Sequence, residues 1–185
     1  MSYVSAKVVA SDIDEDGLKS LSEEVNSNNL FTKKVNVVDY EEQLELFSLA
    51  ESQFGRIDIV CANAGVNPST EFMNPKIPSN IKPTMKVVDI NYYGVLYTCH
   101  LAVKAFRRNK VSSINEKCII ITGSFASFHS LPKFGLPYAA TKAAVLSLVN
   151  SLSEQGQTEG FRCNCVNVRI NNLSVLFNKI TKVKI

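Results

Sequence analysis

A tyrosine and a lysine stand four residues apart in the stretch GLPYAATKAAVLSLVNSL, residues 135–152. The spacing of Ala, Val and Leu predicts a helix, on which Tyr138 and Lys142 lie on the same face, one turn apart. A free phenol has a pKa near ~10, too high for proton exchange at neutral pH, and a neighbouring ammonium lowers it. The pair is therefore either a proton-transfer site or a polar decoration of the helix surface.

Further polar residues stand where predicted strands end. Ligands of an open parallel sheet gather at the carboxyl ends of its strands, so these residues are candidates for binding. They are Asp12 after AKVVAS, Asn36 within and Asp39 just beyond LFTKKVNVV, Asn63, Ala64 and Gly65 after RIDIVC, and Ser124 in KCIIITGS.

Asp12 has two interpretations that the sequence leaves open. A strand-end Asp commonly accepts hydrogen bonds from ribose hydroxyls, and an Asp before a helix commonly caps it. Asp14 is the better placed cap for the helix predicted over Asp14–Asn26, which leaves Asp12 for a ligand.

The elements that must position these residues alternate between strand and helix. Helices are predicted from Tyr40 to Phe54, with Leu44, Phe47 and Leu49 as core candidates, over Asn80–Asn109 in one or two pieces, and around Tyr138. Strands that alternate with helices of ten or more residues imply parallel crossovers. The predicted fold class is α/β, a doubly wound parallel sheet with helices on both faces.

Length and composition bound the class of protein. The 185 residues suit one domain, and 45% hydrophobic with 20% charged residues is typical of a globular protein. A net charge of +3, scattered along the chain, argues against nucleic acid as a partner. No apolar run approaches the ~20 residues that span a bilayer, and the first residues lack a secretory pattern, so the cytoplasm is expected.

Cysteine and histidine usage argues against disulfides and metal. Five cysteines without regular spacing suit reduced thiols, and Cys163 and Cys165 are expected on one face of the last strand. With only His100 and His129 present, no metal site is predicted.

Four motifs occur in the order and approximate spacing of the short-chain dehydrogenase/reductase family. They are CANAG, the Asn of VVDINYYGVL, ITGSFAS and YAATK. YxxxK alone is common by chance, whereas four ordered elements in an α/β pattern are specific. The resemblance covers about residues 7–168 and leaves 169–185 as a divergent tail. It implies that 1–185 is a single, partial Rossmann-type NAD(P)-binding domain.

The resemblance implies roles for four catalytic residues. Tyr138 would exchange a proton with the substrate oxygen, and Lys142 would lower the pKa of Tyr138 and hold the nicotinamide ribose. Ser124 would hydrogen-bond the substrate oxygen, and Ser127 competes for this role. Ser124 is favoured because it directly follows IIITG, although it lies one residue farther from Tyr138 than the family's usual spacing. Asn91 would anchor a water that passes protons between Lys142 and solvent.

The same resemblance implies NAD as the cofactor, with NADP less favoured because Asp12 would repel a 2′-phosphate. Asn36, where the family usually has Asp, would meet the adenine with the Val37 backbone, and residues 63–65 would line the adenosine side. The implied reaction is hydride transfer between a secondary alcohol and a ketone. The apolar loop that includes Phe125, Phe128, Leu131, Phe134 and Leu136 indicates a hydrophobic substrate.

Two departures from the family pattern lead to an expectation of truncation. The glycine-rich TGxxxGxG turn has no counterpart, since Gly17 is the only early glycine, and Val168-Arg169 replaces the usual Pro-Gly. The chain is expected to start at the family's second strand. Its two sheet halves would then either pair directly or leave the first ~50 residues loosely attached, because buried backbone groups need partners.

Because the glycine-rich turn that would bind the cofactor diphosphate is missing, the isolated chain is predicted to turn over poorly. The alternative function is a non-catalytic remnant that assembles with a full-length relative. The Asn91 and Tyr138 helices, through which the family commonly oligomerises, are both retained, so a homo-oligomer is also expected. A third alternative is a chain that is never a stable protein.

Overall fold

The computed structural model describes residues 6–66, 72, 74–109, 116–129 and 135–168. Parallel strands alternate with helices, which confirms the predicted α/β class. In chain order the elements are β1 (Val8–Asp12), α1 (Glu15–Val25), β2 (Leu30–Lys34), α2 (Tyr40–Phe54), β3 (Ile59–Ala62), α3 (Lys86–Val88), a π-helical turn (Asp89–Gly94), α4 (Val95–Arg108), β4 (Cys118–Ser124), a 3-10 turn (Phe125–Ser127), α5 (Leu136–Glu159) and β5 (Arg162–Val168).

The strands form two separate parallel sheets. In the small sheet β1 pairs with β2, from Val8 opposite Leu30 to Asp12 opposite Lys34. In the large sheet β4 lies between β3 and β5. Among the strands that the structure describes, no ladder joins β1 to β3. The first of the two predicted arrangements, in which the two sheet halves pair directly, is therefore wrong.

The helices of the small-sheet region begin at side-chain caps. The Asp14 carboxylate accepts a hydrogen bond from the Gly17 N–H at 3.1 Å, so Asp14 is the cap of α1, as predicted. Asp39 caps α2 in the same way. The prediction that Asn36 lies within β2 is wrong: the strand ends at Lys34, because the chain turns before α2 and the Asp39 N–H donates to the Asn36 carbonyl at 2.9 Å.

The main hydrophobic core lies between the large sheet and helices α4 and α5. Ile119 and Ile121 of β4 and Val145 of α5 are fully buried. Alternate residues of β3 behave oppositely: Val60 is buried in this core, whereas Ile59 on the other face is 62% exposed. The core thus fixes α5, and with it the Tyr138 and Lys142 positions, against β4.

The inward face of α2 differs from its prediction. Phe47 is buried as expected, but Leu44 is 41% exposed, and Gln43 is buried in its place at 1% exposure. Gln43 and Phe47 are four residues apart, so they share one helix face, and that face turns Leu44 outward.

Candidate active site

Tyr138 and Lys142 lie on the first two turns of α5. The helix starts after Gly135, which has a positive φ of 71°, and carries Pro137 in its first turn, where a missing N–H costs nothing. Tyr138 is half-buried, and Lys142 is buried at 5% exposure. The Lys142 Nζ lies 6.0 Å from the centre of the Tyr138 ring. The predicted pair is therefore formed, with the cation near the phenol.

The Lys142 ammonium is held inside the protein by the end of β4. Its Nζ donates a hydrogen bond to the Thr122 carbonyl at 2.7 Å. Burial lowers the pKa of Lys142 from its ordinary value, and the neighbouring Cys165 thiol opposes this shift. The lysine therefore gives up a proton more readily than a free lysine does.

Asn91 lies in the π-helical turn and is fully buried. Its Oδ1 accepts from the Val66 N–H at 2.8 Å, and its Nδ2 donates to the Val66 carbonyl at 3.0 Å. The prediction of a buried, hydrogen-bonded Asn is confirmed. Because the side-chain amide is committed to Val66, its role in the structure is to hold the segment that follows β3.

That segment brings Gly65 next to the lysine. A Cβ placed at Gly65 would lie 3.4 Å from Asn91 Oδ1 and 3.8 Å from Lys142 Nζ. Asn63, Ala64 and Gly65 are exposed, and the Thr122 hydroxyl donates to Asn63 Oδ1 at 2.7 Å. The structure thus gathers the CANAG loop, Asn91 and Lys142 at the carboxyl end of the large sheet.

The two candidate serines have different partners. Ser124 is buried, and its Oγ accepts a hydrogen bond from the Ala126 N–H at 3.2 Å at the start of the 3-10 turn. The Ser127 hydroxyl donates to the Lys142 carbonyl at 2.9 Å. Ser127 therefore uses its only hydroxyl hydrogen for the helix backbone. Ser124 accepts in its contact, so its own hydroxyl hydrogen remains available.

Asp12, Asn36 and Val37, the other residues predicted for the adenosine side, lie with the small sheet, apart from this group. Asp12 ends β1, is exposed, and accepts from the Asp14 N–H at 3.1 Å through Oδ1. Asn36 is exposed, and its Oδ1 accepts from the Val38 N–H at 3.2 Å. Val37 is half-buried.

Sequence reasoning missed two residues of this neighbourhood. Thr122 receives the lysine and reaches Asn63, and Gln43 contacts the Val37 carbonyl. The signal for Gln43 was its four-residue spacing from Phe47. Thr122 acts on the lysine through its backbone carbonyl, which no residue type reveals.

Part of the predicted substrate lining can be placed. Phe128 and Leu136 are exposed at 58% and 48%, and Phe125 is half-buried. Leu131 and Phe134 lie outside the described residues, as do residues 67–71 and 73 of the Asn67–Ser79 loop and the tail 169–185.

All five cysteines are free, as their number and spacing predicted. Within the described ranges, no three His, Cys, Asp or Glu side chains form a group that could hold a metal ion. Among the helices described, none is long and apolar enough to cross a membrane.

Comparison with known proteins identifies the family. The family profile described as "Enoyl-(Acyl carrier protein) reductase" matches residues 2–171. L-fucose dehydrogenase of Oryctolagus cuniculus is 30% identical over 161 residues, which are 87% of this chain and 52% of that protein. Sorbose reductase of Candida albicans is 34% identical over 135 residues, 72% of this chain and 45% of that protein.

Solved structures share the fold. A 3-ketoacyl-(acyl-carrier-protein) reductase from Brucella melitensis, solved as a complex with NADH, superposes with a TM-score of 0.75 at 22% identity. The superposition covers 88% of this chain and 64% of that one.

The chain belongs to the short-chain dehydrogenase/reductase family, whose members are oxidoreductases that use nicotinamide cofactors. It spans about half the length of the curated relatives that it matches.

Proposed function

We propose that this chain carries the catalytic centre of an NAD-dependent oxidoreductase that transfers hydride between a secondary alcohol and a ketone. The observation that carries the proposal is the buried Lys142 ammonium, which lies beside the Tyr138 ring and next to the Asn91-held CANAG loop. A buried cation beside a phenol, at the end of the sheet where ligands gather, marks a candidate functional site.

In this proposal Tyr138 exchanges a proton with the substrate oxygen, and Lys142 stabilises the phenolate that results. Ser124 donates its available hydroxyl hydrogen to the same substrate oxygen. Asn91 keeps the CANAG loop beside Lys142, and its second N–H and second Oδ1 lone pair would anchor the predicted relay water. NAD, when bound, supplies the hydride acceptor.

Residues of both sheets could hold such a cofactor. Lys142 Nζ has three N–H donors and uses one of them for the Thr122 carbonyl. Two donors therefore remain for the nicotinamide ribose hydroxyls. Asp12 Oδ2 has no hydrogen bond within the described residues, and it would accept from the adenosine ribose. Asn36 and the Val37 backbone take the adenine edge, and residues 63–65 line the adenosine side. The proposal assigns no residue to the diphosphate.

NAD is proposed over NADP because Asp12 is an exposed carboxylate at the end of β1. A 2′-phosphate at that position would meet its negative charge. The substrate is proposed to be hydrophobic, since Phe128 and Leu136 expose apolar surface beside the Tyr138 turn. The names of the relatives include sugar substrates, so a polyol is the competing substrate class. Five free thiols favour a reducing compartment such as the cytoplasm.

Calorimetry of NAD⁺ binding, followed by NADH formation on a panel of secondary alcohols, tests the proposal. We expect micromolar binding, kept by Tyr138→Phe and weakened by Lys142→Ala. Turnover by the isolated chain is expected to be poor, and any that is measured should be lost in both variants. Tyr93→Phe changes an exposed tyrosine outside the site and is the matched control. A folded wild-type chain that binds no NAD⁺ would contradict the proposal.

A second candidate function is assembly with another chain, including a second copy or a full-length relative. The observation that favours it is an open groove along α4 and α5, lined by Leu96, Val103, Leu148 and Leu152 among other residues. Light scattering on the wild type and on Leu148→Glu tests it. A monomeric wild type would contradict assembly with a second copy without affecting the catalytic candidate.

A further inference from the structure

Gln43 is a buried amide at the junction between the two sheets. It projects from α2 at 1% exposure and contacts one element of each region. Its Nε2 donates to the Val37 carbonyl at 2.6 Å and to the Gly94 carbonyl at 3.1 Å. Both N–H groups of the amide are therefore used, one toward the small-sheet side and one toward the π-helical turn.

Thr98 fixes the orientation of this amide. The Thr98 Oγ1 lies 2.7 Å from Gln43 Oε1 and 2.8 Å from the Gly94 carbonyl, and its single hydrogen serves these two acceptors. If the amide were flipped, Oε1 would face the Val37 carbonyl at 2.6 Å, and these two acceptors would meet without a donor, although Thr98 could still donate to the Gly94 carbonyl. All hydrogen bonds of this network form in only one orientation of the amide. The network is therefore a rigid contact, or joint, between the Val37 and Gly94 backbones.

The backbone at this joint is in close contact. A Cβ placed at Gly94 would lie 2.7 Å from Val37 Cγ2 and 3.3 Å from the Val37 carbonyl oxygen. No other residue type fits there without a shift. Gly94 thus lets the Asn36–Val37 loop press against the end of the turn that contains Asn91.

We infer that Gln43, with Thr98, is a positioning residue that fixes the Asn36–Val37 loop relative to the Asn91 turn. One end of the contact leads to the residues assigned to the adenine. The other leads through Asn91 to Val66, Gly65 and the Lys142 Nζ. The inference rests on the proposed function only in calling these the two ends of a cofactor site; the joint itself is a property of the apo protein.

The test compares Gln43→Leu with the matched control Gln53→Leu, a glutamine on the same helix that is exposed. Thr98→Val is the graded variant, since it keeps both N–H donors of the amide. Amide hydrogen exchange is measured in the absence of cofactor. Gln43→Leu should speed exchange in residues 36–39 and 63–66 by about tenfold or more, because the Val37 carbonyl loses its donor and the Gly94 carbonyl keeps only the Thr98 hydroxyl. Thr98→Val should have a smaller effect and Gln53→Leu none.

Exchange in residues 118–124 of β4 distinguishes positioning from general destabilisation. The inference predicts that these amides stay unchanged in Gln43→Leu. Equal acceleration in β4, or no acceleration in 36–39 and 63–66, would overturn it. AMP titration is the second readout, with affinity expected to fall about tenfold in Gln43→Leu. A wild type that fails to bind AMP would count against the proposed function, while the exchange result would still decide the role of Gln43.

Discussion

The small sheet and the large sheet differ in how deeply their residues are buried. In β1 and β2 no residue is buried, and beside them Leu18 of α1 is buried at 8% exposure and Val35 at 1%. In the large sheet β4 alone buries Ile119 and Ile121 completely, and α4 and α5 pack against it. The residues assigned to proton transfer therefore lie on the well-packed region. Asp12, Asn36 and Val37, which are assigned to the adenosine, lie on the thinly packed one, whereas residues 63–65 follow β3 of the large sheet.

This division has a consequence for dynamics. Elements with few buried apolar contacts open locally at a lower free energy than the core does. The small sheet is joined to the rest through α2, whose buried contacts are Phe47 in the core and Gln43 at the π-helical turn. We therefore expect the adenosine side to open while the Tyr138 and Lys142 region stays folded.

The largest effect is expected from cavities made in each region. Ile121→Ala should lower the free energy of unfolding by about 2–5 kcal/mol, because the site is fully buried in the core. Leu18→Ala should cost less in global unfolding, since the small sheet can open separately. Urea unfolding followed by circular dichroism measures both. Equal losses would remove the distinction between the two regions.

The next effect concerns Lys117, a buried lysine at the start of β4. Its Nζ donates to the Phe106 carbonyl at 2.6 Å and to the Asn109 carbonyl, which closes the end of α4. Lys117→Met leaves these acceptors unpaired and should cost about 1–3 kcal/mol. Lys104→Met, on the exposed face of α4, is the control and should cost little. Similar thermal unfolding of both variants would contradict the assignment.

A smaller effect is expected from the cap of α1 in the small-sheet region. Asp14→Ala removes the acceptor for the Gly17 N–H and should cost about 0.5–2 kcal/mol locally. Because α1 belongs to the region expected to open first, the loss should appear as faster exchange in residues 15–25. Asp16→Ala, in the same turn without the capping role, is the comparison. Slowed or unchanged exchange in Asp14→Ala would contradict the prediction.

The smallest effect is expected at the paired ends of α4 and α5. Arg107 binds Glu159 through two hydrogen bonds of 2.6 and 2.7 Å, and this lowers the pKa of Glu159 to about 2 from its ordinary 4.5. A lowered carboxyl pKa stabilises the fold above about pH 4.5, and the gain is lost as pH falls through about 2.

Glu159→Gln should therefore cost under ~1 kcal/mol at pH 7, since the pair is partly exposed. The difference from wild type should shrink below pH 4.5 and vanish near pH 2. A difference that is constant with pH would show that the ion pair is not its cause.

Much of the site could be predicted from sequence because its residues have local signals. Tyr138 and Lys142 follow from helical spacing, the Asp14 cap from its position before a helix, and a buried Asn91 from its apolar surroundings. Each signal lies within one element, where periodicity and capping chemistry determine the outcome.

The rest depends on contacts between elements. Leu44 was expected inside and is exposed, because the rotation of α2 is set by what its neighbours offer Gln43. Asn36 was placed within β2, yet the strand ends two residues earlier, where the turn before α2 begins. The absence of a ladder between β1 and β3 is likewise a tertiary property, which hydrophobic patterns do not encode.

The most direct test of the account is native-state hydrogen exchange of the unmodified chain, with β4 and β5 compared against β1 and β2. We predict that amides of 118–124 and 162–168 exchange on the order of 100-fold more slowly than those of 8–12 and 30–34. Equal protection of the two sheets, or stronger protection of the small one, would contradict the claim that the proton-transfer residues lie on the more stable region.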